Sequence, residues 1–403
     1  MKLTILTQYY PPEIGAPQKR LSELAVCLTA RGHEVTVLTA MPNYPQGRIY
    51  PGYGNMLRRE KVDGIKIIRT WIYPTQSARM IRRLTNYFSF VFSSAIIGSL
   101  ALGRSDFLMV ESPPLFLGLS GYWVSRLKRT RLIFNVSDLW PESAVQLGVV
   151  RSGSLSHRLG LSLETFCYRK SWLITGQSMS ILASIRERFP GYATFHLSNG
   201  VDTGKFAPDK WTSEARAEIA SSDECVVLYT GLHGIAQGLD QLLAAAQRLN
   251  GHSGLHFVLV GDGPEKKMLM ASTRELGLSN VRFFDPRPAD RIPALVASAD
   301  IVLVPLKMFI PGAVPSKLYE AMASGRPVVL IAEGEAADIV QRHRAGLVVK
   351  PGDIGALVEA LRTLYKDPAL RRHLGNNGRQ AAVEFYDREK IVLAFEKYLL
   401  ERL

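Results

Sequence analysis

The chain has few cysteines and lacks the sequence patterns of several common catalytic centres. Its three cysteines lie far apart among 403 residues, so they form no metal-spaced pair and indicate no disulfide framework. HExxH, DxD and GxGxxG motifs are absent, and no Ser/His/Asp or Cys/His arrangement stands out. We therefore expect a reducing compartment, no catalytic metal and no resident cofactor.

The N-terminus also lacks the pattern of a cleavable signal peptide. Residues 1–10 are too short and too polar for the apolar segment of such a peptide, and they predict a first strand. With 47% hydrophobic and 21% charged residues, the composition is typical of a globular protein. The length predicts two or three domains, each able to bury a core.

Acidic residues are scarce in the first half of the chain. Residues 1–195 contain 24 Lys and Arg against 11 Asp and Glu, which accounts for the whole net charge of +13. A basic half can bind anionic lipid, a lipid-linked pyrophosphate or nucleic acid, and the alternative is charge that serves only solubility.

The remaining pattern is βαβ throughout, in two tandem halves. Apolar strands alternate with helical segments, which predicts parallel sheets and a ligand crevice at the carboxyl ends of their strands. A turn-rich segment at 198–209 joins the halves, and helices are expected at 19–30, 354–366 and 388–403. The predicted strands are 3–7, 35–39, 65–70, 107–111, 132–136 and 172–176, then 226–230, 256–261, 281–284, 301–305 and 328–331.

Residues 301–331 carry the most informative pattern. A strand leads through a Pro/Gly loop into a short helix for which Ser316 is the expected N-cap. This puts Lys317 and Glu320 in the first helical turn, where unpaired N–H groups and a positive dipole end attract phosphate. Lys317 adds a cation, and Glu320 can accept hydrogen bonds from sugar or ribose hydroxyls. The alternative is a βαβ unit whose loop carries these residues without a ligand.

Glycines follow the first strand of each half, where the backbone can approach a ligand closely. Gly15 is such a glycine in the first half, and Lys19 and Arg20 after it are expected at the surface. In the second half, Gly231 and Gly234 can hold a diphosphate. His233 between them is either a donor or a solvated loop residue. The glycines of residues 261–265 are expected to shape a turn, and Arg287 to lie beside a base.

Asp138 follows a predicted strand and therefore lies in the expected crevice. A carboxylate there can bind an acceptor hydroxyl or act as a base, whereas the alternative is a helix cap or an Asx turn. Glu142 is the weaker candidate of the same segment.

Residues 84–102 are apolar and aromatic, and Arg79, Arg82 and Arg83 precede them. Interfacial membrane docking fits this pattern best. A buried core helix is the main alternative, and a transmembrane span is marginal because Asn86 and four serines interrupt the run.

Five motifs spread over nearly the whole chain belong together: RGHEVTVLT (31–39), SNGVDTGKF (198–206), FVLVGDGP (257–264), ADIVLVP (299–305) and SKLYEAMASGRPVV (316–329). Their order and spacing resemble the family-4 retaining glycosyltransferases of the GT-B fold. Two further segments, YYPPEIGAPQKR (9–20) and SDLWPES (137–143), are similar to a bacterial branch with O-antigen and capsule transferases for N-acetyl-L-fucosamine.

The resemblance implies an α/β GT-B fold with two Rossmann-like domains and an interdomain cleft. Residues 1–195 would form the acceptor and membrane side, with helix 388–403 packing back onto it, and residues 199–385 would bind the nucleotide sugar. The implied reaction moves a hexose or aminohexose, with retention and without a metal, from a UDP-sugar to an undecaprenyl-pyrophosphate-linked saccharide. It would serve lipopolysaccharide or exopolysaccharide biosynthesis at the cytoplasmic face of the bacterial inner membrane, with the enzyme bound peripherally and no nucleic-acid partner.

The resemblance also assigns roles to residues. The expected catalytic residues are Asp138, Lys317 and Glu320. The expected membrane-facing residues are Arg79, Arg82, Arg83, Tyr87 and Phe88. The expected donor-binding residues are Gly15, Ala16, Gly231, His233, Gly234, Gln237, Arg287, Val314, Pro315, Ser316, Lys317, Leu318 and Glu320.

The chain departs from the family pattern in three places. The usual basic pair of the second domain is altered, since the chain has His233 and Gln237 around Leu232–Gly238, and Lys317 is left as the expected phosphate cation. Gly312 occupies the first acidic position of the E-x7-E motif, and Ser137 stands where the family often has a histidine, so Asp138 is expected to bear more of the acceptor role. Two other functions fit the same twin-domain pattern: a non-hydrolysing nucleotide-sugar epimerase and a non-catalytic membrane scaffold.

Overall fold

The computed structural model describes residues 1–54, 56–77, 79–146, 148–221, 223–251 and 254–403. It divides into two compact units. The first is Met1–Ser198 together with Ile391–Leu403, and the second is Asn199–Lys390.

The first unit is an α/β sandwich around one sheet. Its strands are β1 (Lys2–Thr7), β2 (Glu34–Ala40), β3 (Leu57–Val62), β4 (Ile65–Thr70), β5 (Phe107–Ser112), β6 (Arg131–Val136), β7 (Leu173–Gly176) and β8 (Thr194–His196). Its helices are α1 (Ala16–Ala30), α2 (Met80–Ala101), α3 (Leu117–Lys128), α4 (Glu142–Gln146), α5 (Leu155–Lys170) and α6 (Met179–Arg188).

The sheet of the first unit has the order β3-β4-β2-β1-β5-β6-β7-β8. All its described pairs are parallel except β3 with β4, which is antiparallel. The sequence analysis missed β3 and β8. The segment LRREKV of β3 is charged and mostly exposed at the sheet edge, and β8 has only three half-buried residues. Neither strand therefore shows the apolar run that marks a buried parallel strand.

Two helical layers cover this sheet. On one face, α1 packs against odd-numbered strand residues such as Leu3 and Ile5. On the other face, α2, α3, α5 and α6 pack against residues such as Leu6 and Val110. The last helix of the chain, which begins at Arg388, contributes Phe395 to the α1 side.

The second unit has the same architecture. Its strands are β9 (Cys225–Thr230), β10 (Leu255–Val260), β11 (Val281–Phe284), β12 (Ile301–Pro305), β13 (Val328–Ile331) and β14 (Gly346–Val349). Its helices are α7 (Ser213–Ile219), α8 (Asp240–Arg248), α9 (Lys266–Glu275), α10 (Ile292–Ala297), α11 (Ser316–Ala323), α12 (Glu335–Arg342), α13 (Ile354–Lys366) and α14 (Pro368–Phe385), and α15 (Arg388–Leu400) crosses the boundary between units.

The strand order of the second unit is β11-β10-β9-β12-β13-β14, and every described pair is parallel. This is the doubly wound order in which the chain reverses direction between the first and fourth strands. Loops after β9 and β12 therefore diverge and leave a crevice at the carboxyl edge of the sheet. The predicted α/β fold with two Rossmann-like sheets is confirmed.

The sequence analysis missed the long helix α14. Its sequence contains Gly375 and Gly378, which lower helix propensity. Asp367 nonetheless caps the helix by accepting a hydrogen bond from Leu370 N at 2.8 Å. A side chain at Gly375 would overlap the carbonyl oxygen of Gly325. The glycines thus allow close packing on α11, a tertiary reason that local propensity does not reveal.

Two helix starts differ from the sequence analysis. α1 begins at Ala16 rather than near residue 19. α11 begins at Ser316, so Pro315 is the N-cap residue and the predicted capping role of Ser316 is wrong. Lys317 lies in the first turn as expected, whereas Glu320 lies one position beyond it.

Candidate active site

Lys317 on α11 packs against Gly231, the first residue after β9. A Cβ atom added to Gly231 would lie 2.6 Å from Lys317 Nζ and closer still to Cε, so the lysine occupies the space that any other side chain would need. Gly231 also has a φ of +139°, which L residues rarely adopt. The ammonium of Lys317 is therefore held at the point where β9 and β12 diverge, close to the first turn of α11.

Backbone contacts between neighbouring loops build the floor of this crevice. Lys307 N donates to Ala236 O at 2.9 Å, which joins the loops after β12 and β9. His233 N donates to Asp262 O at 2.8 Å, which joins the loops after β9 and β10. A side chain at Gly261 would overlap the backbone of Gly231. The glycines of residues 261–265 thus shape a turn against the β9 loop, as the sequence analysis expected.

The imidazole of His233 is buried, so the solvated loop position is wrong, and its contact with a donor stays a prediction. Its ring lies 5.9 Å from the Tyr229 ring and 6.0 Å from the Phe283 ring. Both ring nitrogens lack a hydrogen-bond partner within the described part of the chain. Burial, with the nearby charge of Lys266, lowers the pKa of His233 to about 4. The ring is therefore neutral at physiological pH.

The other predicted donor-binding residues of the second unit fall into two groups. Val314 and Leu318 bury their side chains in the core, so only their backbone groups remain for a ligand. Pro315, Ser316 and Glu320 are half-buried at the start of α11, and Gly234 and Gln237 lie in the loop after β9. Their roles in binding stay predictions.

Arg287 lies after β11, at the edge of the sheet. Its guanidinium donates from Nε to Glu218 Oε1 and lies 5.8 Å from the centroid of the Phe284 ring. For Arg287 to contact a base as predicted, its guanidinium would have to leave Glu218 or bind Glu218 and the base together.

Asp138 lies just after β6 in the first unit, as predicted. Ser143 Oγ donates a hydrogen bond to Asp138 Oδ1. Burial raises the pKa of Asp138, and the Ser143 hydrogen bond opposes this change. Glu142 begins α4, and its carboxylate lies 3.4 Å from Arg188. The half-buried carboxyl group of Asp138 is therefore placed to accept or orient a hydroxyl.

The sequence analysis missed a buried polar cluster directly behind Asp138. Arg20, expected at the surface, is buried and donates to Glu111 Oε1 at 2.5 Å and to Ser137 Oγ at 2.6 Å. Asn135 Nδ2 donates to Glu111 Oε2 at 2.5 Å, and Gln177 Nε2 donates to Ser137 O. The cluster fixes the backbone at residue 137, immediately before Asp138. The one sequence feature that indicated this cluster was Glu111, an acidic residue near the end of the otherwise apolar strand β5.

Gly15 and Ala16 lie at the start of α1, at the carboxyl edge of the first sheet. Gly15 is the N-cap residue, with an extended backbone at φ 173°. The predicted contact of these residues with a donor stays a prediction.

The predicted membrane-facing residues are only partly exposed. Arg79, Arg82 and Arg83 are exposed at the N-terminal end of α2. Tyr87 and Phe88 are half-buried, and their rings pack against the Phe116 ring at 6.2 and 4.8 Å. Residues 81–101 form a helix that is long and apolar enough to cross a membrane by length and composition, but a third of it is buried in the protein.

Comparison with known families agrees with these observations. The family described as glycosyl transferases group 1 matches residues 212–381, and the family described as glycosyl transferase 4-like domain matches residues 15–197. The chain is a glycosyltransferase, with its first unit similar to the GT4-like family and its second unit similar to the group 1 family. The Asp138 loop lies within the residues that the second family matches, and Gly231 and Lys317 lie within those that the first family matches.

Two curated relatives are bacterial glycosyltransferases, and one of them is named for colanic acid biosynthesis. The chain is 26% identical to the putative colanic acid biosynthesis glycosyl transferase WcaI of Escherichia coli K12, over 98% of each protein. It is 26% identical to the probable glycosyltransferase WbjE of Pseudomonas aeruginosa, over 64% of this chain and 66% of that protein. The chain is thus related to transferases of surface polysaccharide biosynthesis.

Solved structures share the fold. Sucrose-phosphate synthase from Thermosynechococcus elongatus matches with a TM-score of 0.78 at 20% identity, over 99% of this chain and 98% of that one. HepE from Anabaena, in complex with UDP-glucose, matches with a TM-score of 0.72 at 20% identity over the full length of both chains. The protein therefore has the GT-B fold.

Proposed function

We propose that this glycosyltransferase moves a sugar from a UDP-sugar to a lipid-linked saccharide during bacterial surface polysaccharide biosynthesis. The observation that carries the proposal is the packing of Lys317 on Gly231 at the divergence of β9 and β12. A nucleotide diphosphate is stabilised by a cation at the positive dipole end of a helix, and Lys317 in the first turn of α11 provides this arrangement. HepE, which has the same fold, was crystallised with UDP-glucose.

In this proposal the protein supplies leaving-group stabilisation from its own residues. The Lys317 ammonium and the amide groups that start α11 neutralise the charge that develops on UDP as the glycosidic bond breaks. Glu320 accepts hydrogen bonds from the ribose hydroxyls. Transfer proceeds with retention at the anomeric carbon and without a metal ion. Asp138, fixed by the polar cluster behind it, orients the acceptor hydroxyl.

The proposed acceptor is a saccharide on undecaprenyl pyrophosphate, and the donor is a hexose or an aminohexose such as N-acetyl-L-fucosamine. The similarity to WcaI, which is named for colanic acid biosynthesis, supports a polysaccharide pathway. The excess positive charge of residues 1–195 supports an anionic, lipid-linked acceptor. The protein would then act peripherally at the cytoplasmic face of the inner membrane.

A donor panel with a lipid-linked acceptor tests this function. The wild-type protein is incubated with UDP-sugars, the product is detected by mass spectrometry, and the anomeric configuration is read by NMR. A product with inverted configuration would overturn the retaining mechanism. Conversion of a UDP-sugar in the absence of acceptor would instead identify an epimerase.

The variant Lys317→Ala tests the residue that carries the proposal. We expect kcat/KM to fall about 100-fold or more, because a charged group that stabilises the leaving group is lost. Lys350→Ala is the matched control, since Lys350 is an exposed lysine just after β14 at the same edge of the sheet. Normal turnover in Lys317→Ala would overturn the assigned role.

A further inference from the structure

We propose that the outer surface of α2 and α3 docks on an anionic lipid bilayer through two stripes of exposed apolar side chains. The proposal rests on the proposed function for its lipid-linked acceptor, and it extends the membrane contact to α3, which the sequence analysis did not single out. We call this surface the two-helix face, and its residues are Phe92, Ile96 and Leu100 on α2 and Leu119, Trp123 and Leu127 on α3.

The helix α2 exposes apolar residues and buries several polar ones beside the apolar Phe90 and Val91. Asn86 is buried and accepts a hydrogen bond from Gln8 Nε2 at 2.9 Å. Phe92, Ile96 and Leu100 are 62% to 81% exposed. A surface helix of a soluble protein normally has the opposite arrangement. An exposed apolar patch of this kind marks an interaction with an apolar partner.

The helix α3 carries a matching stripe. Leu119, Trp123 and Leu127 are 38% to 61% exposed. Their spacing of four residues keeps them on one side of the helix. Trp and Leu on an exposed helix surface are typical of interfacial membrane helices, whose apolar side chains reach about 5–10 Å into the boundary between head groups and acyl chains.

The two stripes run alongside each other because α2 and α3 pack side by side in the same direction. The hydroxyl groups of Ser94 and Ser120 are 2.8 Å apart. One helical turn further, a Cβ atom at Gly98 would lie 3.2 Å from Val124 Cγ2. The two contacting pairs are separated by the same number of positions in the sequence. The exposed residues of α2 and α3 therefore lie at similar heights along the helix axes.

The charge around the patch selects an anionic bilayer. Residues 64–105 and 112–137 contain no Asp or Glu. Arg79, Arg82 and Arg83 are exposed at the N-terminal end of α2, and Arg126 and Arg129 are exposed at the C-terminal end of α3. Cations near the surface of an anionic bilayer add about 1 kcal/mol each, or a factor of about five in binding.

The same charges disfavour a second copy of the chain as the occupant. Both ends of the patch are cationic, so either orientation of a symmetric pair would bring cations against cations. A membrane-spanning position for α2 would break its bonds to the rest of the unit, since Asn86 Nδ2 donates to Tyr73 O at 2.6 Å. An in-plane position on the bilayer retains these bonds.

An aromatic cluster connects the two-helix face with the loop that carries Asp138. The ring of Phe116, at the start of α3, lies 4.8 Å from the Phe88 ring and 5.8 Å from the Trp140 ring. Trp140 follows Asp138 by two residues. Docking would therefore bring the Asp138 loop close to the head-group region, where a lipid-linked saccharide projects from the bilayer.

Vesicle sedimentation tests the proposal with the full-length protein. Vesicles of phosphatidylcholine and phosphatidylglycerol should bind the wild type, and the double variant Ile96→Ser/Trp123→Ser should bind at least about tenfold more weakly. The matched control is Trp211→Ser/Leu276→Ser, which removes two similarly exposed apolar side chains of the second unit and should bind as the wild type. Calorimetry with UDP checks that each variant retains its nucleotide site.

A variant with fewer cations tests whether the partner of the two-helix face is an anionic bilayer. Arg79→Gln/Arg82→Gln/Arg83→Gln should weaken binding to the anionic vesicles by about fivefold for each cation removed and leave binding to pure phosphatidylcholine unchanged. Undiminished vesicle binding by Ile96→Ser/Trp123→Ser would overturn the proposal. So would wild-type self-association that this variant abolishes, because the occupant would then be a second copy. If the wild-type protein binds UDP and transfers sugar but does not bind vesicles, the docking surface is wrong and the proposed function stands. If it binds vesicles but not UDP, the proposed function is wrong and the docking surface stands.

Discussion

The side chain of Lys317 occupies the space in which a side chain at residue 231 would lie, which makes glycine obligatory after β9. Gly231→Ala should displace the lysine and strain a backbone with φ +139°. We expect the affinity for UDP to fall about tenfold or more, since a charged contact with the diphosphate is lost. Isothermal titration calorimetry measures the change.

Gly277→Ala is the control for the backbone effect. Gly277 has a positive φ of +62°, but no atom lies within 4 Å of its added Cβ. This variant should bind UDP as the wild type does. Equal losses of UDP affinity in both variants would show that backbone strain, rather than displacement of Lys317, is responsible.

Removal of Arg20 should destabilise the first unit strongly. Its partner Glu111 is buried, so Arg20→Ala leaves an uncompensated carboxylate in the core. We expect the free energy of unfolding to fall by about 3–5 kcal/mol. Lys2→Ala removes an exposed ion pair with Glu34 and should leave the free energy of unfolding nearly unchanged. Similar losses in urea denaturation of the two variants would contradict the structural role of the buried pair.

The buried His233 should make stability depend on pH. Its pKa is about 4 in the folded protein against an unperturbed 6.5, so the unfolded chain binds the proton more tightly. The stabilisation is fully present above pH 6.5 and is lost as the pH falls toward 4, with a total of about 3 kcal/mol. His233→Phe should lose this contribution to the pH dependence of unfolding, whereas a variant of the exposed His373 should keep it. An unchanged pH dependence in His233→Phe would refute a buried neutral ring.

The hydrogen bond from Ser143 should set the acidic limit of activity. It lowers the pKa of Asp138, which burial raises. If ionised Asp138 orients the acceptor, Ser143→Ala raises this pKa and the acidic limb of the kcat/KM profile moves to higher pH. Asp138→Asn should remove the limb together with most of the activity. A limb that stays in place in Ser143→Ala would exclude Asp138 as the group that titrates.

Most parallel strands of both units were predictable because buried strands leave apolar runs, but the parallel edge strands β8 and β14 were missed. The run from Ile301 to Pro305 was predicted as a strand in this way, and the helix after it was found from its Pro/Gly loop. The edge strand β3 was missed because its residues are mostly charged and exposed, as expected for a strand that pairs with only one neighbour. The helix α14 was missed because its glycines lower local helix propensity, while they allow close contact with α11, which is distant in the sequence.

The candidate site was predictable where a local pattern places residues at the carboxyl end of a strand, as for Lys317, Gly231 and Asp138. It was not predictable where burial decides the role. His233 lies in a glycine-containing loop and Arg20 follows one. No local sequence feature shows whether the side chain at either position is solvated or buried. Their surroundings come from strands that are far away in the sequence.

The amino-acid sequence by itself determined the two α/β units, the glycine and lysine at the divergent strands, and the uneven distribution of charge, because each of these is a local or compositional property. Tertiary structure decided which side of α2 is buried, that α3 continues its apolar stripe, and that Arg20 pairs with Glu111 beneath Asp138. These features depend on which segments of the sheet and its helices become neighbours, and that choice is made by the packing of the whole unit.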